Sequence, residues 1–388
     1  MATIMISAGE VSGDVHGAKL VQEIKKLDPS ISFFGMGHTR LKNEGVRIDA
    51  DLATVSTIGF VEPLRYIPKI LCTYFKMKKL MAEQKPDVLV PIDYQGYHMV
   101  LLGAAKKLNI PAIYYISPQE WQWGTEQGGK NVVAVTDKIL SIFKEEVAFY
   151  NSLGGNAVYV GHPLLDLAQS DIGKDEFCKK YHLDSSKKIV SIFPGSRPQE
   201  IRLTFPILLE AASQILQKAP NVQIIVSISS EKFENEIRTR VSKNPLFKKV
   251  IFYKDNQYDL IANSYLSLTT SGTVTLEHAI LETPCLVAYK FGRVSFWLAK
   301  KLIGEKFKKI KFIALPNILL REEVVPEFLQ DACDPSKIAK KALSLLTDET
   351  KYKEIKQNLL RVKDMLGSPG AVKRSAQEIV NFIHSRNK

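Results

Sequence analysis

Ile189–Glu200 reads Ile-Val-Ser-Ile-Phe-Pro-Gly-Ser-Arg-Pro-Gln-Glu, and this stretch decides the fold prediction. Its apolar start predicts a β-strand, and Thr204 and Pro206 predict the cap and first turn of a following helix. A strand, a Gly-Ser-Arg turn and a helix can hold a phosphate, because free backbone N–H groups and the helix dipole attract an anion. Gly195, Ser196 and Arg197 are the candidate phosphate contacts. An ordinary surface turn with a solvated arginine explains the stretch equally well.

A second stretch in the same half of the chain has the same form. Tyr265–Thr269 predicts a strand, and a Gly/Ser turn and a helix follow it. In this turn a glycine permits close approach of a ligand, and an acid one helical turn later could accept both hydroxyls of a ribose. A capping box is the structural alternative. Two such turns favour a nucleotide whose phosphates and sugar are held separately. The candidate residues here are Ser271, Gly272, Thr273 and Glu277.

Length and composition are those of a two-domain α/β protein. The chain has 388 residues, of which 45% are hydrophobic and 24% charged, as in an ordinary soluble protein. Its four cysteines are widely spaced, which argues against a disulfide framework or a zinc site and favours a reducing cytosol. The start is too short to be a signal peptide, and no apolar run is long enough to span a bilayer. Strands alternate with helices along both halves, which predicts two parallel sheets.

The net charge of +12 favours an anionic partner. Nucleic acid, an anionic membrane surface and acidic substrates could each provide one. No zinc finger, RNA-recognition or helix-turn-helix motif is present, so we expect no nucleic acid.

The loop after the first predicted strand is rich in glycine and acids. It spans Ala8–Asp14, and its candidate ligand residues are Gly9, Glu10, Ser12 and Gly13. The spacing differs from a dinucleotide fingerprint, and the acids would repel a pyrophosphate. We therefore favour contact with the hydroxyls of a sugar, with an N-cap role as the alternative for Asp14.

Asp93 follows the predicted buried strand Val88–Ile92. Chemistry in open α/β sheets sits outside the carboxyl ends of the strands, so Asp93 is a candidate general base. A helix-capping aspartate is the alternative. Ser117–Gly124 follows another strand and carries two tryptophans that suggest a binding wall. His162 is expected to make a structural hydrogen bond, and Asp49-Ala50-Asp51 is expected to be a solvated loop rather than a metal site.

Ile58–Met81 mixes aromatic and basic residues, and Pro63 and Pro68 predict its division into two short helices. Basic amphipathic helices with aromatics suit an anionic bilayer interface, although a docked helix with a basic outer face is the commoner case. A second basic run spans Phe296–Lys301 and Lys306–Lys311. The candidate membrane or acyl contacts are Phe60, Tyr74, Phe75, Lys76, Lys78 and Lys79.

Together these motifs resemble the lipid-A-disaccharide synthase family, glycosyltransferases of the GT-B architecture. The resemblance covers nearly the whole chain. It implies two Rossmann-like parallel-sheet domains facing across a cleft: residues 1–165 on the acceptor side, joined by the last helix, 370–388, and residues 166–369 for the UDP-sugar. The motifs that carry it are Ala8–Asp14, Ile92-Asp93, Ser117-Pro118 with Trp121 and Trp123, Gly161-His162, Pro194–Arg197, Ser271–Thr273 with Glu277, Phe296–Lys300 and Leu315–Asn317.

The resemblance also implies a reaction. UDP-2,3-diacylglucosamine would be the donor and 2,3-diacylglucosamine 1-phosphate (lipid X) the acceptor, with inversion at the anomeric carbon. Asp93 would be the essential acid, Arg197 the phosphate contact and Asn317 a further active-site residue. We expect no cofactor, and no metal ion if these charges suffice. The enzyme would act at the cytoplasmic face of the inner membrane, with a homodimer as one option.

Two positions depart from the family pattern. Gln95–His98 replaces a Pro-containing turn that ends in Phe-Asn, and Gly124 replaces a basic residue. The departures leave open a UDP-sugar enzyme of the same fold with another acceptor, or a UDP-N-acetylglucosamine epimerase. A non-catalytic protein that binds membrane surfaces through its basic aromatic patches is a third hypothesis.

Overall fold

The computed structural model describes residues 2–52, 66–292 and 311–386. The chain divides into two compact units, one formed by Met1–Asp166 with Leu366–Lys388 and the other by Leu167–Met365. Each unit contains one parallel β-sheet with helices. None of the helices in the described ranges is both long and apolar enough to cross a membrane.

The first unit has a seven-stranded sheet in the order β3-β2-β1-β4-β5-β6-β7, and the second has a six-stranded sheet in the order β10-β9-β8-β11-β12-β13. The strands are β1 Thr3–Ala8, β2 Ser32–Met36, β3 Arg47–Ala50, β4 Val88–Ile92, β5 Ile113–Tyr115, β6 Lys138–Ser141, β7 Ala157–Tyr159, β8 Lys188–Phe193, β9 Val222–Ser227, β10 Ile251–Tyr253, β11 Leu266–Thr269, β12 Cys285–Tyr289 and β13 Glu327–Leu329.

The described α-helices alternate with these strands, as the sequence predicts. They are α1 Val11–Leu27, α2 Thr39–Asn43, α3 Ile67–Gln84, α4 Gln95–Lys107, α5 Glu120–Trp123, α6 Glu126–Ala134, α7 Lys144–Ser152, α8 Leu164–Leu167, α9 Lys174–Lys180, α10 Phe205–Lys218, α11 Glu231–Ser242, α12 Gln257–Asn263, α13 Val274–Ile280, α14 Leu315–Leu320, α15 Pro335–Thr347, α16 Glu349–Met365 and α17 Ala371–Arg386.

The central strands are mostly apolar and are buried along nearly their whole length, because both faces of each sheet are covered. All five residues of β4 are buried, and so are the last five of β8. The last helix, α17, packs its apolar face into the core of the first unit, next to α1. Asp166 fastens the start of α17, because its carboxylate accepts hydrogen bonds from the backbone N–H groups of Gly370 and of Val372, the latter at 2.8 Å.

Two local features differ from the sequence-based expectations. Asp49 and Ala50 lie in strand β3 rather than in a loop, and the Asp49 carboxylate contacts Arg47 at 3.3 Å. Strand β13 was not predicted. Pro68 lies in the first turn of α3, where no N–H is required, and the predicted helix before it falls in residues outside those described. In the described ranges no group of three or more His, Cys, Asp or Glu side chains could hold a metal ion.

Some predicted features lie outside the described residues. They are Phe60, Pro63, Phe296–Lys301 and all of Lys306–Lys311 except Lys311.

Candidate active site

Asp93 stands at the carboxyl end of β4, where the sequence places it. Asp93 and Tyr94 both have φ of 52°, so two consecutive residues with side chains adopt the left-handed conformation. The Asp93 N–H donates to the Tyr115 carbonyl at 3.1 Å. The Asp93 carbonyl accepts from His98 Nδ1 at 2.5 Å and from the Tyr114 hydroxyl at 3.0 Å. These bonds fix the backbone and leave the carboxylate to contact solvent.

The electrostatic surroundings of Asp93 suit a general base. Desolvation by the surrounding protein, with a smaller contribution from the Glu10 carboxylate, raises the pKa of Asp93 to about 6. The residue is exposed, so water moderates this shift. A carboxylate with a pKa near the working pH accepts a proton more effectively than an ordinary aspartate.

The first loop lies against the Asp93 turn. A Cβ on Gly9 would meet the Tyr94 ring at 2.2 Å, and a Cβ on Gly13 would lie 3.6 Å from the Ile92 carbonyl oxygen. Glycine at position 9 lets the loop approach the Tyr94 ring, whereas a Cβ at position 13 would make an ordinary van der Waals contact. Glu10 occupies the N-cap position of α1 without a side-chain capping bond, and Ser12 is half-buried.

The N-cap alternative for Asp14 is wrong. Asp14 lies inside α1, is 1% exposed, and accepts backbone hydrogen bonds from residues around the start of α2. These bonds come from His38 at 2.7 Å, Arg40 at 2.9 Å and Leu41 at 3.3 Å. Asp14 therefore caps a neighbouring helix across the unit rather than its own.

Glu120, in the tryptophan-containing segment Ser117–Gly124, lies against both positions that depart from the family pattern. Gln95 Nε2 donates to Glu120 Oε1 at 2.5 Å, and a Cβ on Gly124 would lie 1.6 Å from Glu120 Oε2. Gln95 and Gly124 thus both accommodate the Glu120 side chain. Trp121 packs on Phe143 with ring centroids 5.8 Å apart.

His162 makes the structural hydrogen bond that the sequence predicts. Its Nδ1 accepts from the Leu164 N–H at 3.2 Å. Desolvation by burial, with a contribution from His16, lowers the pKa of His162 to about 3.

The Gly-Ser-Arg turn differs from its prediction, because its N–H groups are not free. Glu200 Oε2 accepts from the Ser196 N–H at 2.8 Å and from the Arg197 N–H at 3.1 Å. Glu200 Oε1 contacts Arg197 Nη1 at 3.2 Å. Gly195 has φ of 97°, and a Cβ there would meet Glu200 Oε2 at 2.2 Å. A carboxylate thus occupies the donors that were expected to face a phosphate.

The capping prediction for Thr204 is also wrong. Helical backbone begins at Pro198, continues through a π-helical turn at Glu200–Thr204, and passes into α10. Glu200 is therefore the third helical residue, the position from which a glutamate reaches back to the N-terminal N–H groups. The Thr204 hydroxyl instead accepts from the Lys290 N–H at 3.2 Å.

Glu277, in the helix that follows the Ser271–Thr273 turn, is a buried carboxylate. Gln257 Nε2 lies 3.1 and 3.0 Å from its two oxygens, and burial raises the pKa of Glu277 to about 7. Thr273 is the N-cap residue of α13 but makes no side-chain capping bond, so the capping-box alternative is wrong. The Ser271 hydroxyl donates to the Ile313 carbonyl at 2.8 Å. A Cβ on Gly272 would meet nothing within 4 Å.

Asn317 is fully buried, and its amide makes four hydrogen bonds within the chain. Nδ2 donates to the Val325 carbonyl and to Glu327 Oε1, each at 2.7 Å. Oδ1 accepts from the N–H groups of Val324 at 2.7 Å and Val325 at 2.8 Å. These contacts describe a residue that holds a turn in place, and its active-site role stays a prediction.

One face of α3 is apolar and exposed. Ile67, Leu71 and Phe75 follow at intervals of four residues and are 43%, 50% and 62% exposed. The Tyr74 ring lies 5.3 Å from that of Phe75. We call this helix, with its exposed lysines, the α3 surface. The lysines from the sequence prediction are Lys76, Lys78 and Lys79, all exposed.

Several residues that shape these sites have no role predicted from the sequence. His98, Ser7 and Tyr114 support the Asp93 turn, Glu200 caps the Gly-Ser-Arg turn, and Gln257 contacts Glu277. A signal existed for Glu200, which follows the helix N-cap by three residues. No sequence signal marks Ser7, Tyr114 or Gln257, because their partners lie 20 or more positions away. His98 lies only five positions from Asp93, but its contact depends on the conformation of the turn between them.

A family model described as lipid-A-disaccharide synthetase (LpxB) matches residues 4–381. The chain belongs to the lipid-A-disaccharide synthase family. It is 34% identical over 380 residues to the lipid-A-disaccharide synthase of Geobacter sulfurreducens, covering 98% of this chain and 97% of the relative. It is 35% identical over 381 residues to that of Trichlorobacter lovleyi, with the same coverage. The chain is therefore a glycosyltransferase of lipid A biosynthesis.

Solved structures with the same fold are more distant in sequence. A complex of S. aureus MnaA with UDP has a TM-score of 0.69 at 14% identity, covering 99% of this chain and 97% of that one. A Neisseria meningitidis UDP-GlcNAc 2-epimerase bound to UDP-GlcNAc has a TM-score of 0.63 at 12% identity, covering 98% and 100%. The predicted α/β fold class, GT-B with two Rossmann-like domains, is confirmed.

Proposed function

We propose that the chain joins UDP-2,3-diacylglucosamine to 2,3-diacylglucosamine 1-phosphate, giving a β-1′,6-linked disaccharide 1-phosphate and UDP. Membership of the family supports the reaction class. The observation that carries the proposal is the Asp93 carboxylate, which is exposed at the carboxyl end of the central strand β4 on a fixed backbone, with its pKa raised by desolvation.

Asp93 acts as the general base in this proposal. Its carboxylate takes the proton from the acceptor 6-hydroxyl as that oxygen attacks the anomeric carbon of the donor. The bond from that carbon to the UDP oxygen breaks on the opposite face, so the configuration inverts. UDP leaves with the bonding electron pair, and Asp93 is left protonated.

The Gly-Ser-Arg turn stabilises the departing diphosphate. Negative charge grows on UDP as the bond breaks, and a cation fixed nearby lowers the barrier more than a mobile one. Arg197 is fixed through Nη1 to Glu200, and its guanidinium carries further N–H donors. Ser196 belongs to the same turn. A diphosphate must either bind beside Glu200 or displace its carboxylate from the backbone N–H groups.

The second turn holds the nucleoside in this proposal. Glu277 accepts hydrogen bonds from the ribose hydroxyls, and its contact with Gln257 fixes its orientation. The open space around Gly272 permits close approach of the ligand, flanked by Ser271 and Thr273.

The α3 surface gives the enzyme contact with its lipid substrates. Exposed apolar side chains enter the interfacial region of a bilayer, while nearby lysines attract anionic headgroups. The exposed Phe75 and the three lysines fit an anionic inner-membrane surface.

A mass-spectrometric assay with both acylated substrates tests the proposal. Asp93→Asn should form at least about 100-fold less disaccharide, since general-base catalysis contributes 10²–10⁴-fold, while UDP affinity stays unchanged. Full activity in Asp93→Asn would remove the assigned base.

The companion variant Glu10→Gln removes the charge that helps raise the pKa of Asp93. It should shift the acidic limb of the kcat/KM profile to lower pH. Turnover of UDP-N-acetylglucosamine alone, without acyl groups, would instead favour the epimerase alternative.

A further inference from the structure

The backbone that carries Asp93 is strained. Asp93 and Tyr94 both have φ of 52°, and neither is glycine. A residue other than glycine adopts this region rarely and persists there only where its surroundings enforce it. Two in succession at the carboxyl end of a central strand require a strong local restraint.

His98 supplies much of that restraint. It lies on α4 and is fully buried, and its Nδ1 donates to the Asp93 carbonyl at 2.5 Å. Its backbone N–H donates to the Tyr94 carbonyl at 3.2 Å. This backbone bond is the first of α4 and does not depend on the side chain, so the imidazole acts on Asp93 alone. Tyr114 adds a second donor to the Asp93 carbonyl at 3.0 Å.

The hydrogen-bond partners of His98 determine its tautomer. A carbonyl oxygen can only accept, so Nδ1 must carry the proton. Nε2 then has a lone pair, and the Ser7 hydroxyl 2.9 Å away must donate to it. Ser7 is fully buried on β1, so this bond is shielded from water. Burial also lowers the pKa of His98 to about 4, which keeps the ring neutral near pH 7.

We propose that His98, held in its Nδ1–H tautomer by Ser7, is the positioning residue that aims the Asp93 carboxylate at the acceptor hydroxyl. This inference rests on the proposed role of Asp93 as the base. His98 does not touch the substrate. It acts through the Asp93 carbonyl, so its loss rotates the carboxylate away from its productive direction without removing it.

Two amide variants separate this role from simple packing. The amide nitrogen of asparagine lies close to the place of histidine Nδ1, whereas that of glutamine lies close to the place of Nε2. His98→Asn therefore keeps a donor for the Asp93 carbonyl, and His98→Gln keeps a polar group near Ser7 but loses that donor. Both variants replace a buried ring by a primary amide, so each controls for the other.

The expected result is a split between the two variants. His98→Gln should lower kcat roughly 10- to 100-fold, the loss expected from a misplaced catalytic group, with KM nearly unchanged. His98→Asn should recover most of the parent kcat. Thermal unfolding of both variants establishes that they are folded, and UDP affinity should equal that of the parent. His384→Gln, at an exposed histidine of α17, serves as the surface control.

A measurement without turnover tests the same inference. Long-range ¹H–¹⁵N correlation spectra of the parent at pH 7 should show the His98 ring protonated at Nδ1, with the resonance assigned by its loss in His98→Asn. Ser7→Ala should produce a mixture of tautomers. An Nε2–H ring in the parent, or equal kcat values for the asparagine and glutamine variants, would overturn the inference.

The failure of this inference and that of the proposed function are distinguishable. Activity in Asp93→Asn would refute Asp93 as the base, and with it any positioning role for His98. An inactive Asp93→Asn together with a fully active His98→Gln would leave the base in place and refute only the positioning role.

Discussion

Gly195→Ala is the substitution for which the structure gives the most definite expectation. Gly195 has φ of 97°, and an added Cβ would lie 2.2 Å from Glu200 Oε2 and 2.6 Å from Glu200 Cβ. A flexible carboxylate can turn away from a clash, but the Cβ of Glu200 is fixed by the helix backbone. The alanine therefore forces either the turn or the start of the helix to move.

The cost has two parts. A left-handed conformation costs an L-residue about 1–2 kcal/mol relative to glycine. Moving Glu200 also breaks backbone hydrogen bonds to its charged, 2% exposed side chain, and such bonds contribute about 1.5–3 kcal/mol each. With one of them lost, the free energy of unfolding of the second unit should fall by roughly 3–5 kcal/mol.

Thermal unfolding followed by circular dichroism measures this loss. A domain of this size loses about 2–4 °C for each kcal/mol, so the unfolding midpoint should fall by about 6 °C or more. Calorimetry should show weaker UDP binding, because Ser196 and Arg197 move with the turn.

Gly272→Ala is the matched control for stability. A Cβ there meets nothing within 4 Å, so the midpoint should not change. Weaker UDP binding by this folded variant would then show that the ligand lies close to Gly272. A Gly195→Ala midpoint within a degree of the parent, or an equal fall in Gly272→Ala, would refute the reasoning.

Three further changes have definite expected outcomes. The pKa of Glu277 is raised from 4.5 to about 7, so the folded chain keeps a proton that the unfolded chain releases between these pH values. In urea unfolding, the free energy of unfolding of the parent should fall across that pH window relative to that of Glu277→Gln. The same dependence on pH in both proteins would contradict this. Asp166→Asn weakens the contacts with Gly370 and Val372 and should cost about 1–3 kcal/mol in the same assay, whereas an unchanged midpoint would contradict the fastening role. Charge reversal of three lysines on the α3 surface should reduce binding to anionic vesicles, while reversal of three exposed lysines on α15 should not; equal effects would contradict the assigned surface. The two sets are Lys76, Lys78 and Lys79, and Lys337, Lys340 and Lys341.

The fold could be predicted from the sequence because its strands are buried on both faces. Val88–Ile92 is predicted and found with the same bounds, since its five apolar residues are followed by the polar Asp93. Edge strands lack this signal. Arg47–Ala50 has an exposed or half-buried residue at every position. Its alternation of polar and apolar residues is typical of a half-buried strand, but it covers only four positions, the shortest length at which that pattern is informative.

The position of Asp93 could be predicted, but the conformation that presents it could not. The end of an apolar run marks the carboxyl edge of a parallel sheet, and this places the carboxylate. The left-handed φ of Asp93 depends on Tyr114 and His98, and Ser7 holds His98 from 91 positions away in the chain. No local pattern records a bond between such distant residues.

The Gly-Ser-Arg turn could be recognised from the sequence as a site for an anion, but the group that occupies its N–H donors in the folded chain could not. Glycine, a helix N-terminus and an arginine attract any anion, and a glutamate at the third helical position is one that the chain itself provides. Glu200 meets the same donors that a diphosphate would need, at 2.8 and 3.1 Å. The pattern that indicates phosphate binding is therefore also the pattern that indicates a capped helix. From the sequence alone, phosphate binding and a surface turn with a solvated arginine are equally favoured, and capping by Glu200 is not foreseen. In the folded chain the Glu200 carboxylate holds the turn and contacts Arg197, so any bound diphosphate has to share these donors with Glu200 or take its place.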